Sequence, residues 1–184
     1  MPSYKKISTE IIHQNSWWTY YHDKYILPNG QEGDYYYGET IGSGCAMIVP
    51  VLDDGRLLLT KQHRYLRGKQ SIEFPCGGIK AGEAPSETAI RELLEETGYR
   101  AGDMMKVGAC DGLNGIFKDT CHVFIATELK LVQPPQPDNS ENFETIFRRL
   151  DEFEDVVNRG EIWDGQTLAA WALSRDKIYK MLNI

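Results

Sequence analysis

Between Gly77 and Tyr99 the chain reads GGIKAGEAPSETAIRELLEETGY, a spacing of charges that few folds accommodate. Glu83 follows Gly77 after five residues, Arg91 and Glu92 follow Glu83 after seven, and Glu95, Glu96 and Gly98 close the stretch. Turning about 100° per residue, as on a helix, puts Ala89, Ile90, Leu93 and Leu94 in one arc and Glu92, Glu95 and Glu96 in the opposite one. Like charges three and four positions apart destabilise a bare helix, so a cation is expected among them. Arg91 stands four residues from both Glu87 and Glu95 and steadies one carboxylate, leaving most of the acid arc uncompensated. Clustered hard oxygens suit Mg²⁺ or Mn²⁺ better than zinc, which prefers nitrogen and sulfur. Pro85 fits a first helical turn and Gly98 the position past the end, which predicts a helix over Pro85 to Thr97.

The residues just before serve the same purpose. SIEFP (Ser71 to Pro75) reads as a short strand, and Cys76-Gly77-Gly78 as a turn whose missing side chains let backbone approach a ligand. Seven fixed residue types at these spacings match by chance on the order of once in a million chains of this size. The stretch resembles the Nudix signature and is identified as the catalytic box of a Nudix hydrolase. That resemblance implies the Nudix fold, an α/β (α+β) arrangement with a mixed sheet between helices. It also implies two or three Mg²⁺ (or Mn²⁺) ions held by Glu92, Glu95, Glu96 and the main-chain carbonyl of Cys76. Arg91 and Glu83 are expected to keep the box in shape.

Composition excludes several classes. The 184 residues suffice for one domain with an appendage, and 41% hydrophobic with 26% charged residues is ordinary for a soluble globular chain. A net charge of -7 argues against a general nucleic-acid or acidic-membrane binder, because phosphate backbones need basic surface. A polyphosphate can still bind if metal ions bridge it to the protein. Cys45, Cys76, Cys110 and Cys121 form no CxxC pair, and the start MPSYKKISTEII lacks the apolar core of a signal peptide. A reduced, cytoplasmic setting is therefore expected, with the cysteines as packing residues.

Residues 1–40 differ from the rest. WTYYHDKYIL and GDYYYGET read as two strands joined by PNGQ, a hairpin too small to stand alone. Residues 1–40 are read as a β appendage and 41–184 as the Nudix domain. The hairpin is similar to the N-terminal piece of ADP-ribose pyrophosphatases, which implies exchange across a homodimer and an aromatic ring stacked on the nucleotide base. Trp17 is the best match to that ring, with Trp18 and Tyr35 as alternates. Next, SGCAMIVPVLDDGRLLLT holds two β-rich runs around Asp53-Asp54-Gly55, again read as a hairpin. Lys61, His63, Arg64, Arg67 and Lys69 then form the densest basic patch. In similar enzymes the arginine at the place of Arg64 touches substrate phosphates.

Past the box, MKVGAC and TCHVFIATEL read as strands around the loop DGLNGIFKD. Relatives that prefer ADP-ribose carry a proline about fifteen residues beyond the box. Here Asn114 and Gly115 stand there with no proline, which tells against ADP-ribose in particular and leaves the wider nucleoside diphosphate sugar group open, with Gly115 as a candidate substrate contact. The Pro-rich loop of residues 131–145 carries Glu141, in the place of a mobile general base, with Glu144 as the alternative. TIFRRL reads as a last strand, followed by a helix capped by Asp151 and stopped by Gly160. A longer helix opens at Asp164, with Leu168, Trp171, Ala172 and Ile178 as its apolar stripe.

The reaction implied is metal-dependent cleavage of the pyrophosphate link in a nucleoside diphosphate sugar. Two alternatives remain, a triphosphate or dinucleoside polyphosphate hydrolase and a nucleotide-sensing module that binds without cleaving.

Overall fold

The computed structural model describes residues 3–42, 44–136 and 143–184. In chain order the elements are β1 (Lys5–Gln14), β2 (Trp18–Ile26), β3 (Glu32–Thr40), β4 (Cys45–Pro50), β5 (Leu57–Arg64), β6 (Lys69–Glu73) and β7 (Cys76–Gly78). Then come α1 (Pro85–Thr97), β8 (Tyr99–Arg100), β9 (Asp103–Asp111), β10 (Phe117–Lys118), β11 (Thr120–Thr127), β12 (Lys130–Leu131), β13 (Phe143–Arg148), α2 (Leu150–Asn158) and α3 (Gly165–Leu182). Helix α1 has the bounds read from the sequence.

The N-terminal hairpin forms as expected, β2 pairing antiparallel with β3 from Trp18 opposite Thr40 to Ile26 opposite Glu32. A strand the sequence reading passed over, β1, adds to its other side. All ten β1 residues are exposed, so its apolar positions carry no burial pattern. Two residues of the expected loop, Phe117 and Lys118, pair parallel with β3 and join this sheet to the rest of the chain.

The central sheet runs β7-β4-β11-β9, with β4 parallel to β11. Strand β4 is buried along its whole length, as expected of an apolar run covered on both faces. The hairpin expected across Asp53-Asp54-Gly55 is corrected. The turn exists, with Gly55 at φ 81°, but only Val51 and Leu57 bridge. The strands then part, because β5 pairs with β6 and β13 in another sheet. The turn expected at Cys76-Gly77-Gly78 is likewise extended chain, paired to β4 at Met47, Ala46 and Cys45.

Two apolar clusters flank β4. Met47, Val49, Leu57, Leu59, Phe74, Val123 and Ile125 pack with α2 and α3, where Trp171 lies edge-on to Phe153 at 5.1 Å. Ala46, Ile48 and Phe124 pack with Ala89 and Leu93 of α1. Trp171 is thus a packing residue, as is Ile178, whereas Ala172 of the expected stripe faces out. Asp164 caps α3, its Oδ2 accepting from the Thr167 N–H at 2.7 Å. Asp151 does not cap α2. Arg149 holds that position, and Asp151 sits in the first turn paired with its guanidinium at 2.8 Å. Helix α1 ends at Gly98, φ 77°, where an added Cβ meets the Gln133 carbonyl oxygen at 2.0 Å.

Gly98→Ala combines a left-handed backbone with that clash. It is expected to cost more than about 1 kcal/mol and to lower the melting temperature by roughly 3 °C or more. An unchanged thermal midpoint removes this account of the helix end.

Candidate active site

Helix α1 presents its acids as a consequence of how it packs. Ala89 and Leu93 face the core, so Glu92 and Glu95 point away from it, Glu95 half-exposed and Glu92 mostly covered. Two positions differ from the simple arc: Ile90 is 52% exposed, and Glu96 is buried at 4%. Three residues beyond Leu93, Glu96 falls partly on the inward side of the helix.

Arg91 ties the box together. Its Nε donates to Glu83 Oε1 at 2.9 Å and Nη2 to Glu83 Oε2 at 3.0 Å, a two-point grip. Its Nη1 donates to Glu92 and, at 3.1 Å, to Glu95 Oε2. Nη2 also reaches the Gly78 carbonyl at 3.2 Å. Glu87, the other expected partner, instead accepts from the Ala84 N–H at 2.8 Å and closes the first turn of α1. Glu83 further accepts from Thr88 Oγ1 at 2.7 Å and the Lys80 N–H at 3.1 Å. The Arg91 guanidinium, followed by these weaker donors, pulls the Glu83 carboxyl from 4.5 down to about 2.

Gly77 explains how strand and helix come so close. A Cβ there would lie 2.0 Å from Cδ and Oε1 of Glu92, so the Glu92 carboxylate occupies the space a side chain would fill. Backbone of Cys76-Gly77-Gly78 and the carboxylates of Glu92 and Glu95 thus line one wall of a cavity of about 770 Å³. These donors are all oxygens from carboxylates and a peptide carbonyl, which fits a hard divalent cation.

The same cavity gathers residues distant in sequence. Trp17, 75% exposed, lines its mouth, and Arg64, Lys80, Asp119 and Gln166 line its walls. Asn15 sets Trp17, its Oδ1 accepting from the N–H groups of Trp17 and Trp18 at 2.9 and 3.0 Å. Arg64 grips the buried Glu73 through Nε at 2.8 Å and through Nη2. Burial raises the Asp119 carboxyl above its ordinary value.

Other expected residues go elsewhere. The Tyr35 hydroxyl donates to the Gly115 carbonyl, and both line a separate cavity of about 330 Å³ beside β10. Within the basic patch, Lys61 pairs with Glu144 at 3.3 Å and Lys69 lies over the Trp163 ring at 4.3 Å. Glu141 lies outside the described residues. Glu73, Asp119 and Gln166 were passed over by the sequence reading. Glu73 left a signal, a lone charge in the apolar strand before Pro75, whereas Asp119 and Gln166 left none.

The Glu83 shift gives a pH test. A carboxyl whose folded pKa is depressed adds stability above its unfolded value of 4.5, and this is lost as pH falls toward about 2. Thermal unfolding across that window should show Glu83→Gln with a shallower loss of stability on acidification than the parent. Identical acid limbs discard the assignment.

Comparison with known proteins follows the same lines. The NUDIX domain matches residues 44–171. The ADP-ribose pyrophosphatase of Bacillus subtilis (strain 168) is 31% identical over 168 residues, covering 90% of this chain and 89% of that protein. The ADP-sugar pyrophosphatase of Mus musculus is 30% identical over 157 residues, 76% of this chain and 70% of that one. A crystal structure of an ADP compounds hydrolase superposes with a TM-score of 0.86 at 21% identity, covering 98% of this chain and 97% of that one. No helix among the described residues is long and apolar enough to cross a membrane. Because the NUDIX domain match spans residues 44–171, more than half of the chain, the chain belongs to the NUDIX domain family.

Proposed function

We propose that this Nudix hydrolase cleaves the pyrophosphate link of nucleoside diphosphate sugars of the ADP-ribose type, yielding a nucleoside monophosphate and a sugar phosphate. The observation that carries the reading is the convergence of an exposed indole, an arginine and the box carboxylates on one cavity. The names of the relatives that align along most of the chain favour the same substrate class.

Glu92, Glu95, Glu96 and the Cys76 carbonyl would hold two or three Mg²⁺ ions. Bound there, divalent ions supply Lewis-acid charge to the two phosphates and acidify water. The chain's own groups do the rest. Trp17 stacks on the base, and Arg64 steadies charge growing on the bridging oxygen through the donors that Glu73 leaves unused. Arg91, locked on Glu83, keeps the spacing of Glu92 and Glu95. Glu141 takes the proton of the attacking water. Residues 1–40 serve as the appendage that brings Trp17 to the cavity.

A panel of ADP-ribose, ADP-glucose, GDP-mannose, UDP-glucose and nucleoside triphosphates with Mg²⁺, with products identified, tests this directly. Monophosphate and sugar phosphate are expected from the sugar nucleotides. Release of phosphate or pyrophosphate from triphosphates alone selects the rival reading. In the same panel Glu95→Gln should lose orders of magnitude in turnover. Trp17→Ala should raise KM about five- to hundredfold, the worth of one base–aromatic stack.

A second copy of the chain is the proposed cover for β1, whose Ile7, Ile11 and Ile12 stand exposed on an edge strand. Light scattering should return twice the 21.0 kDa chain mass; a monomer at working concentration ends the dimer proposal.

A further inference from the structure

We infer that Cys45, Cys76 and Cys121 form a binding site for one monovalent copper ion at the inner wall of the box cavity. Their sulfurs all lie within 4.8 Å of one another, although the residues are 31 and 45 positions apart in the chain. Strand register explains the meeting. Cys121 stands opposite Cys45 in the parallel β4–β11 pair. Cys76 stands opposite Met47, two residues on from Cys45, so its side chain shares the same face of the sheet.

The dimensions suit one ion. Sulfurs bound at about 2.3 Å around a common centre in a plane stand about 4 Å apart. Closing the trio on an ion therefore needs movement of less than about 1 Å. The cavity gives access: Cys45 and Cys76 line it, while Cys121 is fully buried. An outer partner is already in place, since Gln166 Nε2 donates toward Cys45 Sγ at 3.6 Å. Such partners orient ligands and raise affinity.

Ligand chemistry selects the ion. Three cysteine sulfurs with no nitrogen or carboxylate in the cluster favour soft Cu(I), which three sulfurs can satisfy. Closed zinc sites take four ligands, and the described cluster offers three: Cys110, opposite Cys121 in the β9–β11 pair, stays outside the group whose sulfurs lie within 4.8 Å of one another. On binding, each thiol that becomes a ligand releases its proton to solvent and forms one sulfur–copper bond. The hard-cation donors are chemically separate, even though Cys76 contributes a carbonyl to one set and a sulfur to the other. The copper site stands whether or not the cavity hydrolyses sugar nucleotides.

The test uses the full chain under anaerobic conditions with a non-thiol reductant and Cu(I) buffered by a chromophoric chelator. The parent should take one Cu(I) per chain with a thiolate-to-copper charge-transfer band in the ultraviolet. Cys45→Ala and Cys121→Ala should each weaken binding at least about tenfold, the lower bound even for losing an outer partner of a metal site. Cys110→Ala should leave the affinity unchanged. Circular dichroism reports folding, and Cys45→Ala, at the cavity wall, carries the test should Cys121→Ala fail to fold. Absence of the band, an unaffected Cys45→Ala affinity, an equal loss in Cys110→Ala, or Zn(II) held as tightly as Cu(I) overturns the proposal.

Discussion

One guanidinium holds the box in register. Arg91 reaches forward to Glu92 and Glu95 on its own helix and back to Glu83 and the Gly78 carbonyl on the segment that precedes it. A planar fork with several donors meets that many acceptors at fixed angles, which an ammonium cannot do. The Glu83 grip is charge-assisted and two-pointed, the stronger kind of hydrogen bond. It closes the loop between β7 and α1 and so fixes the distance between the Cys76 carbonyl and the helix carboxylates. The closeness itself depends on Gly77, whose absent Cβ leaves the space that the Glu92 carboxylate fills.

The N-terminal sheet depends on that arrangement for its position. The Ile41 N–H donates to the Trp17 carbonyl at 3.0 Å, and Gly42 at φ 101° approaches the Ile79 carbonyl so closely that a Cβ would lie 1.8 Å from it. Trp17 is thereby fixed relative to the end of β7 through backbone contacts. On the opposite flank, parallel pairing of β10 with β3 and the Tyr35 bond to Gly115 attach the same sheet to the loop before β11. The indole is set from two sides while its ring stays open to the cavity.

Features carried by local spacing were legible in the sequence, and those carried by pairing partners were not. The bounds of α1, the Asp164 cap and the β2–β3 hairpin each follow from residues within a few positions of one another. The supposed hairpin of β4 and β5 shows where this fails. Both runs are β-rich and the turn between them is real, yet burial of β4 on two faces gives it to a different sheet. Strand β1 was missed because its ten residues are exposed and so lack the alternation that marks a half-buried strand. The cysteine trio was invisible for a related reason. Its spacing in the chain is irregular, and only strand register aligns it.

Only part of the basic patch reaches the cavity, and this bears on how the cavity treats anions. Lys61 and Lys69 are engaged with Glu144 and Trp163, leaving Arg64 as the member at the cavity wall. Arg64 commits Nε and Nη2 to Glu73, a carboxylate so buried that it needs a partner. Arg91 is similarly committed to Glu83. Two of the three cations lining the cavity therefore already balance carboxylates, while Glu92, Glu95 and Asp119 add negative charge to its walls. A diphosphate meets net repulsion there unless positive charge enters with it. An acidic chain can therefore bind so anionic a ligand only together with cations, and the oxygen donors of the box stand where those cations are needed.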